Sequence, residues 1–362
     1  MKKFIIILIV LLIIFVQLIN GKKLGVLTDI LKPEAIEIHN NRLYAVEGPH
    51  FYVYELDKLN FLARFGQKGE GPGELKSVPM LPNTLGVIPE KIFVDGMGKV
   101  VFFSRDFKFL KEIKKKYMTF KTKPVGKNFV AMRMKPAGNN TYYFSVLLMD
   151  SEMNQISELV KQEYRETDTD IDMVLDSIHF DVYKNKIYIE KSTKGFQIAV
   201  FDSQGNLEME IVKKIKAPVL TARDKQDLME NFKQDNLVKM MVEREGGWIN
   251  FKNKMNFIYP DRFPLIQDIL VTDDKIFVAT FHKKNRKRQF IVMDQNGSIL
   301  NTIFLPIPRE SSYLTKAMGR DNRFYGIASH RYYYLVENPE SEEWEIHTVD
   351  LDRVIPITTQ ND

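Results

Sequence analysis

Ala199-Val200-Phe201-Asp202-Ser203-Gln204-Gly205-Asn206-Leu207-Glu208-Met209 carries the pattern on which the fold turns. Two apolar runs flank a polar centre from Asp202 to Asn206. Alternating apolar side chains load one face of a sheet, while Asp, Gly and Asn make a turn by bonding their own backbone or tolerating positive φ. The segment therefore reads as a β-hairpin. Five others share the plan: VYELDKLNFL (53–62), VFFSRDFKFL (101–110), VLLMDSEMNQI (146–156), IVMDQNGSIL (291–300) and HTVDLDRVI (347–355). In the 291–300 segment the turn is Asp294 to Gly297.

Upstream of most hairpins lies a further strand with a basic opening and an apolar body. These are Arg42 to Val46, Lys91 to Val94, Lys186 to Ile189, Lys275 to Val278 and Arg323 to Gly326. The third unit is irregular, with Phe129 to Met134 and Tyr142 to Leu148 in the same role. The turn-opening residues 57, 105, 150, 202, 294 and 350 are separated by 48, 45, 52, 92 and 56. The long gap is one ordinary unit plus an insertion. A repeat of this length with about four short strands per unit marks propeller blades. The dominant period is 2, which excludes a helical solenoid. The expected fold is all-β, a six-bladed β-propeller over residues 24–358, with a small helical insertion between blades 4 and 5. Ring closure is open between the segment Leu24 to Ile30 and C-terminal strands alone.

After the first hairpin comes Phe65-Gly66-Gln67-Lys68-Gly69-Glu70-Gly71-Pro72-Gly73-Glu74-Leu75. This run, within the blade pattern around it, resembles the NHL-repeat and TolB-like type of six-bladed β-propeller found in exported bacterial proteins. The resemblance spans residues 36–355 as a repeat, although the Gly-rich run occurs once. It implies a binding propeller for proteins, RNA or glycans; a few such propellers are lyases or lactonases with a metal on the central axis. Taken alone, the Gly-rich run lacks the Lys-Ser/Thr pair of a P-loop and a dinucleotide fingerprint, so it reads as a loop between blades.

The 362 residues hold 52 Lys+Arg, 47 Asp+Glu and no cysteine, so disulfides, thiolate nucleophiles and Cys-ligated metal centres are excluded. A formal charge of +5 is too small to imply a nucleic-acid partner. Lys2 and Lys3 precede an apolar run, Phe4 to Ile19, interrupted only by Gln17. Residues 1–21 therefore read as a signal peptide or an N-terminal membrane anchor, giving a membrane tether through residues 4–19 if retained. The expected location is exported: periplasm, cell envelope or extracellular, as a monomer.

Three histidines, His50, His282 and His330, fall just past the second strand of blades 1, 5 and 6 in this register. Imidazoles on one rim are candidate ligands for a divalent metal, calcium or zinc, with Glu47 as an oxygen ligand or general base. Beside His282, Lys283, Lys284, Arg286, Lys287 and Arg288 crowd a hairpin tip, which suits an acidic partner such as an anionic glycan. No aromatic platform interleaves them, so nucleic acid is not expected. His39 and His179 precede strands and read as turn or rim residues. The insertion, about 216–264, opens with a capping pattern at Thr221 and Asp224. Leu228, Phe232, Leu237 and Met241 form one apolar face, and Gly246-Gly247 ends the helical run. No Gly-x-Ser-x-Gly, His-Glu-x-x-His, Walker or EF-hand motif is present. The expected function is a non-catalytic binding or scaffold module for a protein or glycan ligand on the loop-rich face. The alternative is a metal-dependent lyase or hydrolase in the axial funnel.

Overall fold

The computed structural model describes residues 21–76, 83–165, 167, 169–191, 195–307 and 323–355. Six four-stranded antiparallel sheets form the blades of a propeller. Blade 1 is β2 (Ala35–His39), β3 (Arg42–Glu47), β4 (His50–Glu55) and β5 (Phe61–Phe65). Blade 2 is β6 (Thr84–Ile88), β7 (Lys91–Gly96), β8 (Lys99–Ser104) and β9 (Phe109–Lys114). Blade 3 is β10 (Thr119–Val125), β11 (Asn128–Gly138), β12 (Thr141–Met149) and β13 (Gln155–Arg165). Blade 4 is β15 (Phe180–Tyr183), β16 (Lys186–Glu190), β17 (Phe196–Phe201) and β18 (Leu207–Lys213). Blade 5 is β20 (Asp268–Thr272), β21 (Lys275–Lys284), β22 (Lys287–Asp294) and β23 (Ile299–Pro306). Blade 6 is β24 (Tyr325–Ala328), β25 (Arg331–Glu337) and β26 (Trp344–Asp350), with β1 (Lys22–Leu27) as its outer strand.

The ring is thus closed by the N-terminal strand: Lys22 pairs with Thr348 and Leu27 with Trp344. This corrects the reading of 347–355 as a complete hairpin. Beyond Asp350 the described chain turns and forms no fourth strand. A closure strand contributed by the far end of the chain ties the termini together and removes two sheet edges at once. The anchor or signal segment lies outside the described residues. Among the described residues no helix is long and apolar enough to cross a membrane.

Antiparallel order sets two ends. Turns from first to second and third to fourth strand gather at one; turns from second to third strand and the connections between blades gather at the other. Each junction between adjacent blades holds an apolar cluster. Between blades 3 and 4, for example, Phe120, Met132 and Leu148 meet Phe180, Ile189 and Phe201. The β17–β18 turn forms as its sequence demands. Asp202 Oδ1 accepts the N–H groups of Gln204 and Asn206 at 2.9 and 2.8 Å, and Gly205 takes φ +87°. Asp294 and Asp150 do the same in blades 5 and 3. The Gly-rich run is the loop from blade 1 to blade 2. Gly66 sits at φ +80°, where a Cβ would lie 2.2 Å from the Pro49 carbonyl oxygen.

Between blades 4 and 5 the chain forms α1 (Ala222–Gln234), α2 (Asn236–Arg244) and α3 (Trp248–Lys254). Thr221 and Asp224 make the expected capping box. Gly246-Gly247 does not end the helical run; it separates α2 from α3. The inward face also differs in part. Phe232, Val238 and Phe251 are buried with Leu228 and Val242 beside them, while Met241 is exposed; the Leu237 side chain lies outside the described residues. A parallel pair, β14 (Asp170–Asp172) with β19 (Asn256–Ile258), stitches the insertion to the connection between blades 3 and 4.

Candidate functional site

The residues picked from sequence divide between the two ends. His50 opens β4, and its Nδ1 donates to the Gly66 carbonyl at 2.9 Å. Glu47 is occupied locally: it accepts the Lys32 N–H at 2.5 Å and the Tyr52 hydroxyl at 3.1 Å. His282 lies on β21 with its ring 5.7 Å from that of Phe304 on the outer strand. Both histidines stand at the end carrying the connections, in blades separated by blade 6. His330 stands at the other end. The second strand of blade 6 begins at Arg331, one strand later than the sequence register had it, so His330 occupies the first turn at φ +58°. Its backbone N–H donates to Asp273 at 2.8 Å and its ring meets Asp352 at 2.9 Å. The three imidazoles do not converge. Among the described residues no group of three or more His, Asp or Glu side chains could hold a metal ion. The residues proposed for calcium or zinc therefore do not fit that role.

The basic hairpin tip is a two-residue turn, Asn285-Arg286, with φ of 52° and 59°. Lys283 faces Arg288 and Lys284 faces Lys287 across it, a like-charge arrangement that disfavours pairing unless solvated. Lys283, Lys284 and Arg286 are exposed. Burial holds the Lys287 ammonium below its usual range. Arg288 departs from the expected exposed cluster: it is 5% exposed.

The axis holds polar side chains that the sequence did not mark. The third residue before the first turn of each blade is Glu37, Gly86, Lys123, Asp181, Leu270 or Gly326. Lys123 Nζ meets Asp181 Oδ1 at 2.5 Å, and Asp181 Oδ2 accepts the Val271 N–H at 2.7 Å, so one carboxylate joins blades 3, 4 and 5. Arg323 grips Asp268 through Nε at 2.8 Å and Nη2 at 2.6 Å, and also reaches the Ile269 carbonyl. Tyr325 donates to the same Asp268 at 2.5 Å. Such bidentate, buried pairs fix geometry; these cross between blades and act as fasteners.

At the connection-bearing end the pattern changes. His179, read as a rim residue, is 6% exposed and lies 4.0 Å from both Glu190 and Asp268. Glu190 is 1% exposed; its Oε1 accepts the His179 N–H at 3.2 Å, and Oε2 has no hydrogen-bond partner. Burial, then repulsion from Asp176, pushes the Glu190 carboxyl well above the usual range. Asp176 is pushed up to about 6 by burial, against a smaller opposing effect of His179. Asp176 lines a small, open cleft with Met132, Phe144, Tyr164, Leu175 and Ile178. A polar residue inside or just before an innermost strand, as at His179, Asp181 and Asp268, is the sequence signal for this region.

No protein-family model matches the chain, and no curated protein matches it. Solved structures do resemble it. BamB from Moraxella catarrhalis aligns over 91% of this chain and 99% of its own, at 8% identity and a TM-score of 0.38. The Pan2 WD40 domain of Neurospora crassa aligns over 92% and 96%, at 10% identity and a TM-score of 0.43. These likenesses assign no activity, partner or subtype to the chain.

Proposed function

We propose that the chain is a non-catalytic binding propeller of the cell envelope, of the NHL-repeat and TolB-like type, that recognises a protein partner with its insertion-bearing end. The observation that carries this is the apolar surface exposed there. Ile249 on α3 is 74% exposed, Met240 on α2 49%, and Leu31 on the connection into blade 1 87%. Apolar side chains left in water on a helical projection suit a partner surface, and methionine adapts to varied contacts. Lys283, Lys284 and Arg286 add positive charge at the same end. The axial charges, by contrast, are engaged in pairs between blades.

The closure strand gives the reading a direction. Lys22 begins β1 at the end opposite the insertion, so a tether through residues 4–19 leaves the insertion facing away from the membrane. A photo-crosslinking side chain at Ile249 in the full chain is expected to capture a discrete partner. The same side chain at Leu110, 51% exposed at the start of β9 and at the opposite end, is expected not to. Equal capture from both positions, or turnover of an envelope substrate by the purified chain, would count against the proposal.

A further inference from the structure

Two basic segments far apart in sequence meet at the junction of blades 4 and 5. Val212-Lys213-Lys214-Ile215-Lys216-Ala217-Pro218-Val219 leads out of β18 into the insertion, and Lys283-Lys284-Asn285-Arg286-Lys287-Arg288 forms the tip of the β21–β22 hairpin. Neither contains Asp or Glu. The stem of the insertion joins them. Val219 pairs with Arg262, whose Nη1 donates to the Ala217 carbonyl at 2.7 Å, and the Phe263 N–H donates to the Pro218 carbonyl at 3.0 Å. The Phe263 ring then stacks on Phe281 of β21, their centroids 5.1 Å apart, just before the basic tip. β21 runs ten residues where β3 and β7 run six, so its tip projects beyond those of blades 1 and 2. Lys214, Lys216, Arg262, Lys284 and Arg286 are exposed, and among the described residues no carboxylate pairs with any of them. Like charges gathered without counter-ions repel, and an anion laid over them relieves that repulsion. Val212 and Val219, 63% and 55% exposed, lie in the same strip. A sugar needs an open aromatic face, but Phe263 and Phe281 stack on each other and Phe263 is buried. Valines among lysines suit carboxylates interspersed with aliphatic side chains.

We propose that this basic face binds an acidic segment of a protein partner, its carboxylates on Lys214, Lys216, Lys284 and Arg286 and its aliphatic side chains against Val212 and Val219. The proposal deepens the reading of the insertion-bearing end as a binding face and rests on it, because both segments lie at that end. The contacts are charge-assisted hydrogen bonds from ammonium and guanidinium groups to carboxylates, and salt weakens them where water reaches.

The probe is a dye-labelled peptide that repeats Glu-Glu-Leu, titrated into the full-length protein and followed by fluorescence anisotropy. Its affinity is expected to fall about ten-fold as sodium chloride rises from about 50 to about 300 mM. Lys216→Glu combined with Lys284→Glu is expected to weaken binding by about ten-fold or more. Lys58→Glu, an exposed position at the opposite end, is expected to change it by less than about two-fold. Val219→Ser is expected to weaken the peptide about three-fold and to leave a labelled oligoglutamate of equal charge unaffected. No binding, binding insensitive to salt, or binding that survives the paired charge reversal would overturn the assignment. So would polygalacturonate displacing the peptide charge for charge while Val219→Ser binds like the parent, since the ligand class would then be a glycan. The peptide reports the basic face and the crosslink reports Ile249, so either result can fail without the other.

Discussion

Asp95 and Glu190 occupy the same place, fifth in the second strand of blades 2 and 4, and meet different surroundings. Asp95 accepts the Thr122 N–H at 3.1 Å and the Thr122 hydroxyl at 2.7 Å, and pairs with Lys115. Both Asp95 and Lys115 side chains are almost wholly buried. Lys115 comes from the short connection between β9 and β10. The corresponding connection after blade 4 is the helical insertion, and among the described residues no lysine of that connection pairs with Glu190. Its Oε2 is left without a hydrogen-bond partner, and burial, then repulsion from Asp176, pushes its carboxyl well above the usual range. A short connection can serve as a counter-ion for the blade beside it. When that connection is given over to a projecting surface, the carboxyl it would have served is left buried without a counter-ion, and burial pushes its pKa up.

The largest effect should come from breaking the satisfied junction. Asp95→Asn leaves Lys115 charged and buried without its partner, and a loss of about 3–5 kcal/mol is expected in urea unfolding. A loss below about 1 kcal/mol would mean that water reaches the pair.

At the other junction the sign should reverse. Asp176→Asn is expected to stabilise the chain at neutral pH by roughly 1–3 kcal/mol, since the folded state no longer holds a desolvated carboxylate. The pH dependence follows from the direction of the shift. A carboxyl raised from 3.8 to about 6 makes the folded state bind more protons. The parent should therefore lose stability as pH rises from about 4 to about 6, and the variant should lack that component. The smallest effect belongs to Glu190→Gln, which keeps the shape of a side chain whose charged form burial already disfavours. A change of less than about 1 kcal/mol at neutral pH is expected; a loss comparable to that of Asp95→Asn would show a charged Glu190 and dissolve the contrast.

The sequence is legible where the physics is local. The turns at Asp150, Asp202 and Asp294 depend on a side chain bonding N–H groups two and four residues on, and all three can be read directly. The capping box at Thr221 is local in the same way. The blade 6 register fails for a related reason. Arg323-Phe324-Tyr325 and Arg331-Tyr332-Tyr333 are both basic openings followed by aromatic residues, and local pattern does not tell a first strand from a second. That slip carried His330 to the wrong end. The axial fasteners join positions far apart in sequence: Arg323 with Asp268, Lys123 with Asp181 and Asp181 with Val271. Only the packing of neighbouring blades brings these together.

The carboxyl carbon of Asp176, followed by ¹³C chemical shift through a pH titration of the folded chain, tests the central claim most directly. That claim is that the insertion-bearing end keeps a desolvated acid facing its cleft. A midpoint near 6 is expected, well above the ordinary aspartate range. A midpoint near 4 would mean that the carboxylate is hydrated, and would contradict the asymmetry between the junctions.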